Sequence, residues 1–279
     1  MPDNNSSASY FDRSVGRSGP DFSQAIVRAP AQSLVHGITQ ADLGIPDWAL
    51  AQQQFEAYVA ALAACGLQVT LLAADENCPD CVFIEDTALV TPELAIITRP
   101  GAASRRPEVP AVAACLAERF AKVVTVEAPG TVDAGDIMNV GGYHFIGLSA
   151  RTNVEGAEQM LAALRSVGLD GQMVSMPEIL HFKTGINYLA DGQVIAAAGF
   201  LAFLRDVDDF PLRAFEVLEV PDEEAYAANA LWLNDRVLVA AGFPQTEALL
   251  QAAGYATVSL DVSEFRKLEG GLSCLSLRF

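Results

Sequence analysis

Histidine is scarce in this chain, three in 279 residues, so chemistry that needs an imidazole has few places to put one. Basic residues are scarce as well: 17 Lys and Arg stand against 35 Asp and Glu, a formal net charge of −18. Nucleic-acid binders carry basic faces and anionic membranes attract basic segments, so this balance argues against both partners. A small cationic molecule, by contrast, is drawn by a negative field. The cysteines are few and odd in number, at positions 65, 78, 81, 115 and 274. That argues against a disulfide framework and fits a reducing, cytoplasmic setting. No apolar run is long enough to cross a bilayer. Residues 1–22 lack the apolar stretch of a secretory leader and are rich in Ser, Asn, Asp, Gly and Arg. They read as a disordered tail ahead of a single domain over 23–279.

What is present is apolar bulk and repetition. Hydrophobic residues make up 51% of the chain, enough for a large core. From Ser23 onward a strand, a tight turn, a second strand, a helix and a third strand recur, with a period of roughly 40–50 residues. The first unit runs from Ile26–Arg28 through a helix at Trp48–Ala64 to Val69–Leu72. The second has Ala88–Val90, Ala95–Ile97, a helix near Val109–Ala121 and Val123–Val126. The third has Ile137–Val140, His144–Gly147, a helix over Asn153–Val167 and Gln172–Val174. The fourth has Ile186–Leu189, Val194–Ala197, a short irregular helix and Phe215–Leu218. The fifth has Ala230–Leu233, Val237–Val239, a helix over Thr246–Ala253 and Thr257–Leu260. The helices carry apolar residues three and four apart, and the turns use the Gly, Asn and Asp chemistry of hairpins. Five such units predict a closed α/β ring with its pocket at the centre. A doubly wound parallel sheet fits less well, because its strands need crossovers where this chain has hairpins.

The polar residues then fall at the joints. Asp80, Glu85 and Asp86 lie between the first and second units, Asp133 and Asp136 between the second and third, and His181 between the third and fourth. Cys274 follows the fifth. Equivalent joints of a ring converge at its axis. Cys274 stands in Gly270-Gly271-Leu272-Ser273-Cys274, where two glycines give a nucleophile the backbone freedom to approach a substrate. A cysteine with a distant histidine and carboxylate is the pattern of a thiol-dependent hydrolase. The alternative is an inert buried thiol.

Asn77-Cys78-Pro79-Asp80-Cys81-Val82-Phe83-Ile84-Glu85-Asp86, Ile96 to Gly101, Glu127 to Asp136, Gly147 to Asn153, His181 to Gly185 and the Gly270–Cys274 segment closely resemble the dimethylarginine dimethylaminohydrolases of the guanidine-modifying, amidinotransferase-like superfamily. The resemblance implies a five-bladed α/β propeller of ββαβ-type repeats with a central active site. It also implies hydrolysis of asymmetric dimethylarginine or monomethylarginine to citrulline through a covalent cysteine thiouronium, with no metal and no cofactor. On that resemblance Cys274 is the nucleophile, His181 the acid and base, and Asp133 the residue that orients the histidine. Asp80, Glu85 and Asp86 would hold the guanidinium, with Phe83 packed beside them. Arg105 and Arg151 would grip the α-carboxylate. Main-chain groups of Ile38 and Leu268 would lie near the α-amino group, under a lid resembling Ser33–Thr39. Arginine deiminase, an amidinotransferase or another guanidine-modifying enzyme of the same superfamily, and a non-catalytic guanidine binder, are the rival readings, and a homodimer stays open. Cys78 and Cys81 could form a redox pair or half a zinc site, but no second ligand pair accompanies them.

Overall fold

The computed structural model describes residues 19–279, so the expectation for 1–18 lies outside the described residues. Residues 19–22, expected to belong to a disordered tail, are instead fastened to the domain. The Trp232 indole donates to the Pro20 carbonyl at 3.2 Å, and the Asn234 amide brackets Phe22 through its N–H and carbonyl.

Among the described residues, fifteen strands form five three-stranded sheets. Each sheet places an inner, a middle and an outer strand along a radius of the ring. The second blade is β3 (Ala88–Val90), β4 (Ala95–Ile97) and β5 (Val123–Thr125), and the third is β6 (Ile137–Val140), β7 (Tyr143–Leu148) and β8 (Asp170–Ser175). The fourth is β9 (Ile186–Tyr188), β10 (Gln193–Ala197) and β11 (Glu216–Val220), and the fifth β12 (Leu231–Leu233), β13 (Arg236–Ala240) and β14 (Ala256–Leu260). In each of these the inner and middle strands pair antiparallel through a short turn, and middle and outer strands pair parallel. A parallel pair requires a crossover, which the helices supply: α2 (Val109–Ala117), α3 (Val154–Arg165), α5 (Ala198–Arg205) and α6 (Pro244–Ala252). The turns use left-handed backbone at Gly141-Gly142, Asp191-Gly192 and Asn234, where small or Asx residues are tolerated.

The first blade differs. Its middle strand β1 (Gln24–Arg28) crosses through α1 (Trp48–Ala64) to outer strand β2 (Gln68–Leu72), and its inner strand β15 (Leu277–Arg278) comes from the other end of the domain. Ala25 faces Arg278 and Ile26 faces Leu277 in antiparallel register. This pairing closes the ring and fixes Cys274, three residues before β15, against the axis. Middle strands read as nearly continuous buried runs, while the outer strands β2, β5 and β14 are half exposed. The core therefore lies between neighbouring blades, as the sandwiching of sheets by helices demands. No helix among the described residues is long and apolar enough to cross a membrane.

Short helical turns precede each inner strand: Ile84–Thr87, Ala134–Asp136, α4 (Phe182–Gly185), Asp222–Ala228 and Ser273–Leu275; a last short helix, α7 (Ser263–Arg266), leads into the fifth turn. These are the joints on which the candidate residues sit.

Candidate active site

The joints converge on a cavity of about 640 Å³ lined by Ile38, Asp80, Phe83, Asp86, Arg105, Asp133, Arg151, His181, Leu268 and Cys274. Every predicted site residue except Glu85 lies there. Met176 to Leu180 forms a further wall that the sequence did not single out.

His181 is its charged centre. Its Nε2 lies 3.1 Å from Asp133 Oδ2 and its Nδ1 3.9 Å from Asp86 Oδ1, with all three side chains buried. Burial alone would favour the neutral ring, but Asp86, the Asp133 hydrogen bond and Asp136 outweigh it, raising the pKa to about 9. At neutral pH the ring is an imidazolium, a proton donor. Asp133 is itself held, since its Oδ1 accepts from the Gly101 N–H at 2.9 Å. Asp136 lies behind the ring. It accepts from Ser149 and Thr152 hydroxyls at 2.6 Å each and from the Phe182 N–H at 3.0 Å, which pins the backbone next to His181. Gly135 makes this crowding feasible: a Cβ there would meet Asp86 Oδ1 and His181 Nδ1 at 2.7 Å.

The glycines before Cys274 work the same way. Neither adopts positive φ, so the expected role of conformational freedom is replaced by one of space. A Cβ at Gly270 would strike the Phe83 ring at 2.1 Å, and one at Gly271 would strike the Asn229 amide at 2.5 Å. Cys274 is partly exposed to the cavity, and its Sγ accepts from the Gly271 N–H at 3.4 Å. Burial first, then the charges of Glu85 and Asp86, push the thiol well above its ordinary value. At neutral pH Cys274 is held as a thiol, and a positive charge beside it would favour the thiolate.

Two predicted binding residues are already engaged with protein partners. Glu85 lines a separate cavity of about 130 Å³, together with Lys183, Ser273 and Arg278. Its Oε1 accepts from Lys183 at 2.6 Å and Arg278 at 2.9 Å, and its Oε2 from the Ser273 hydroxyl at 2.9 Å. Both oxygens are committed, so it is a buttress and does not reach a guanidinium in the main cavity. Arg105 does line that cavity, but it is embraced by carboxylates. Its Nη1 reaches Asp86 Oδ2 at 2.5 Å, Nε and Nη2 take both oxygens of Glu108 at 3.1 and 2.9 Å, and Nη2 also donates to the Phe83 carbonyl. Of five N–H donors one lacks a partner here, and burial raises the Glu108 carboxyl to about 7 against the pull of Arg105. Arg105 is first of all the support of Asp86. Arg151, half-buried on the loop after β7, makes no such pair among the described residues; burial raises the Asp80 carboxyl above its ordinary value, and the charges of Arg105 and then Arg151 oppose that rise.

Asp80, Ile38 and Leu268 form the cavity's mouth. Asp80 Oδ1 accepts from the Ile38 N–H at 3.0 Å, and Glu269 Oε2 accepts from the Gln40 N–H at 2.8 Å. These carboxylates strap the 33–40 segment over the site. Glu269, which sequence reasoning missed, stands at positive φ. That strained conformation at a non-glycine residue was not legible from its type.

Asp86, Asp133 and His181 offer ligand-type atoms within 4.8 Å of one another. A cation is disfavoured there by the imidazolium and by Arg105 on Asp86. Cys78 and Cys81 pack with Ala31 as buried free thiols. Burial first raises both, Cys78 to about 11, which withholds the thiolate that redox exchange or zinc would need. His36 is exposed, and His144 is buried on β7 and lines a different cavity.

No family model matches the chain. It is 48% identical over 260 residues to the N(G),N(G)-dimethylarginine dimethylaminohydrolase of Pseudomonas aeruginosa, covering 92% of this chain and 100% of that protein. The protein of the same description from Streptomyces coelicolor is 38% identical over 256 residues, covering 91% and 96%. A solved structure of the Pseudomonas enzyme complexed with citrulline superposes with a TM-score of 0.89 at 47% identity, covering 93% of this chain and 100% of that one. The N-terminal domain of a cyanobacterial arginine dihydrolase shares the fold, with a TM-score of 0.80 at 19% identity and coverage of 93% and 97%.

Proposed function

The chain belongs to the dimethylarginine dimethylaminohydrolase family, and on that premise we propose that it hydrolyses Nω-methylated arginines to citrulline and a methylamine, with Cys274 as nucleophile. The observation that carries this reading is the convergence of Cys274, His181, Asp86 and Asp133 on one acidic cavity.

The electrostatics dictate an order of events. The empty site holds a protonated thiol because burial and carboxylates disfavour the thiolate. A methylated guanidinium entering between Asp80 and Asp86 brings the missing positive charge beside Sγ, and the thiol gives its proton to solvent. The thiolate attacks the guanidino carbon to give a tetrahedral adduct. His181, charged at neutral pH, donates its proton to the departing amine nitrogen, and the C–N bond breaks to leave a cationic thiouronium on Cys274. The now neutral ring takes a proton from water, whose oxygen adds to the same carbon. The C–S bond then breaks as the carbon–oxygen double bond forms; sulfur takes back its electron pair and the hydroxyl proton, restoring the thiol, and citrulline leaves. Asp133 keeps Nε2 oriented through both transfers. Arg151, with the spare N–H of Arg105, takes the α-carboxylate. The reading carries with it a reducing, cytoplasmic location, because Cys274 must stay a free thiol.

Citrulline formation from asymmetric dimethylarginine, monomethylarginine and arginine in parallel tests it. Turnover of the methylated substrates supports it; turnover of arginine alone would assign deiminase chemistry, and binding without turnover a non-catalytic role.

A further inference from the structure

Five joints surround the ring, and four of them carry the chemistry just described. The fifth, between the fourth and fifth blades, holds Asn229, directly after the Asp222–Ala228 turn. It is buried, 7% exposed, and its amide is fully engaged. Nδ2 donates to the Lys183 carbonyl at 3.0 Å and to the Ser273 hydroxyl at 3.1 Å, and Oδ1 accepts from the Ser273 N–H at 2.9 Å. The flat amide also lies against Gly271, where no Cβ fits.

Those partners flank the two reacting side chains. Ser273 immediately precedes Cys274, and Lys183 stands two residues after His181. A second path links the same pair: the Ser273 hydroxyl donates to Glu85 Oε2, and Glu85 Oε1 accepts from Lys183 Nζ. Asn229, Ser273, Glu85 and Lys183 thus close a cycle of hydrogen bonds in which the Ser273 hydroxyl both donates and accepts. A closed, largely buried cycle of hydrogen bonds holds its members more rigidly than the separate bonds would. Asn187 supports only one side of it, donating to the carbonyls of Lys183 and Ala228.

We infer that Asn229 is a positioning residue that fixes the nucleophile's turn against the segment carrying His181. It touches neither substrate nor reacting atoms and acts through Ser273, Gly271 and Lys183. The inference rests on Cys274 and His181 being nucleophile and proton donor.

The test is Asn229→Ala beside Asn187→Ala, with Ser273→Ala as a second cut through the same cycle. Misplacing reacting groups by an ångström costs up to about a hundredfold. Asn229→Ala should therefore lower kcat on asymmetric dimethylarginine roughly 10- to 100-fold with little change in KM, and should slow adduct formation in a single turnover followed by mass spectrometry. Ser273→Ala keeps the main-chain bond to Asn229 and should show the same pattern less strongly. Asn187→Ala removes two comparable buried bonds and should lower the melting temperature, with kcat changed by less than about threefold. Equal kcat losses in Asn187→Ala and Asn229→Ala, or normal single-turnover rates in both Asn229→Ala and Ser273→Ala, would overturn the inference. If Asn229→Ala does not fold, Ser273→Ala against Asn187→Ala decides it alone. Cys274→Ser and His181→Gly in the same assay separate the two levels: turnover surviving in either would sink the underlying site, whereas their loss beside normal braced-pair variants would sink only the brace.

Discussion

Arg105 and Arg151 read alike from sequence, as two cations for one carboxylate, yet the structure makes them fail differently. Arg105 sits between Asp86 and Glu108, whose side chains are 3% and 1% exposed. Replacing it with Met leaves both carboxylates buried without their cation. Breaking a buried pair from one side costs about 3–5 kcal/mol. A chain of this size loses about 2 °C of melting temperature per kcal/mol, so Arg105→Met should fall by about 6–10 °C. Arg151 holds no such pair, and its replacement by Ala should shift melting by about 1 °C. Its loss falls on substrate instead. A charged contact with a buried partner is worth about 2–5 kcal/mol, and 2 kcal/mol is already a factor of about 30 in kcat/KM. The assay pairs thermal melts with kinetics on asymmetric dimethylarginine and on a small N,N-dimethylguanidine that lacks the carboxylate. Arg151→Ala should lose activity on the first only, whereas Arg105→Met should lose stability and activity on both. Equal losses on the two substrates in Arg151→Ala, or an unchanged melt in Arg105→Met, would refute the division of labour.

The thiol's environment makes a second claim: alkylation of Cys274 by iodoacetamide in the empty enzyme should titrate above the ordinary cysteine value of about 8.5, and Glu85→Gln should lower it. A low apparent pKa would contradict substrate-driven ionisation. Asp133→Asn keeps the shape but removes the charge that orients His181, so kcat/KM should fall roughly 10²–10⁴-fold, measured by citrulline release. His181 has a folded pKa of about 9 against 6.5 unfolded, so the stability it contributes is complete below about pH 6.5 and is lost as pH rises through about 9, some 3 kcal/mol in all. Denaturant melts from pH 6 to 10 should show this decline, and His181→Ala should flatten it.

Much of this was written in local pattern. Asp47 caps α1 through the Leu50 N–H, and Asn153 caps α3 through the Gly156 N–H; each residue type announces a helix start. Turn residues and apolar alternation exposed the hairpins, and the spacing of five hairpins exposed the ring. The first blade could not be completed in the same way, because β15 joins β1 across some 250 residues and is two residues long, too short to show a period.

The convergence of Cys274, His181 and Asp133 on one cavity was legible from their types and their places at the joints. The site was illegible where the same type serves two purposes. Glu85 and Asp86 are neighbours in one acidic motif, yet on a tight helical turn adjacent side chains point apart. One therefore faces the cavity and the other faces Lys183 and Arg278 behind it. Asn229 gave no sign of its own, since asparagine at a joint reads as a cap or turn. Its sign was positional: four joints of a five-fold ring were filled by candidate site residues, and the fifth joint had to face the same axis. In a repeat fold, symmetry thus predicts placement where residue type does not, and the residue it predicts here bonds to the neighbours of both reacting side chains.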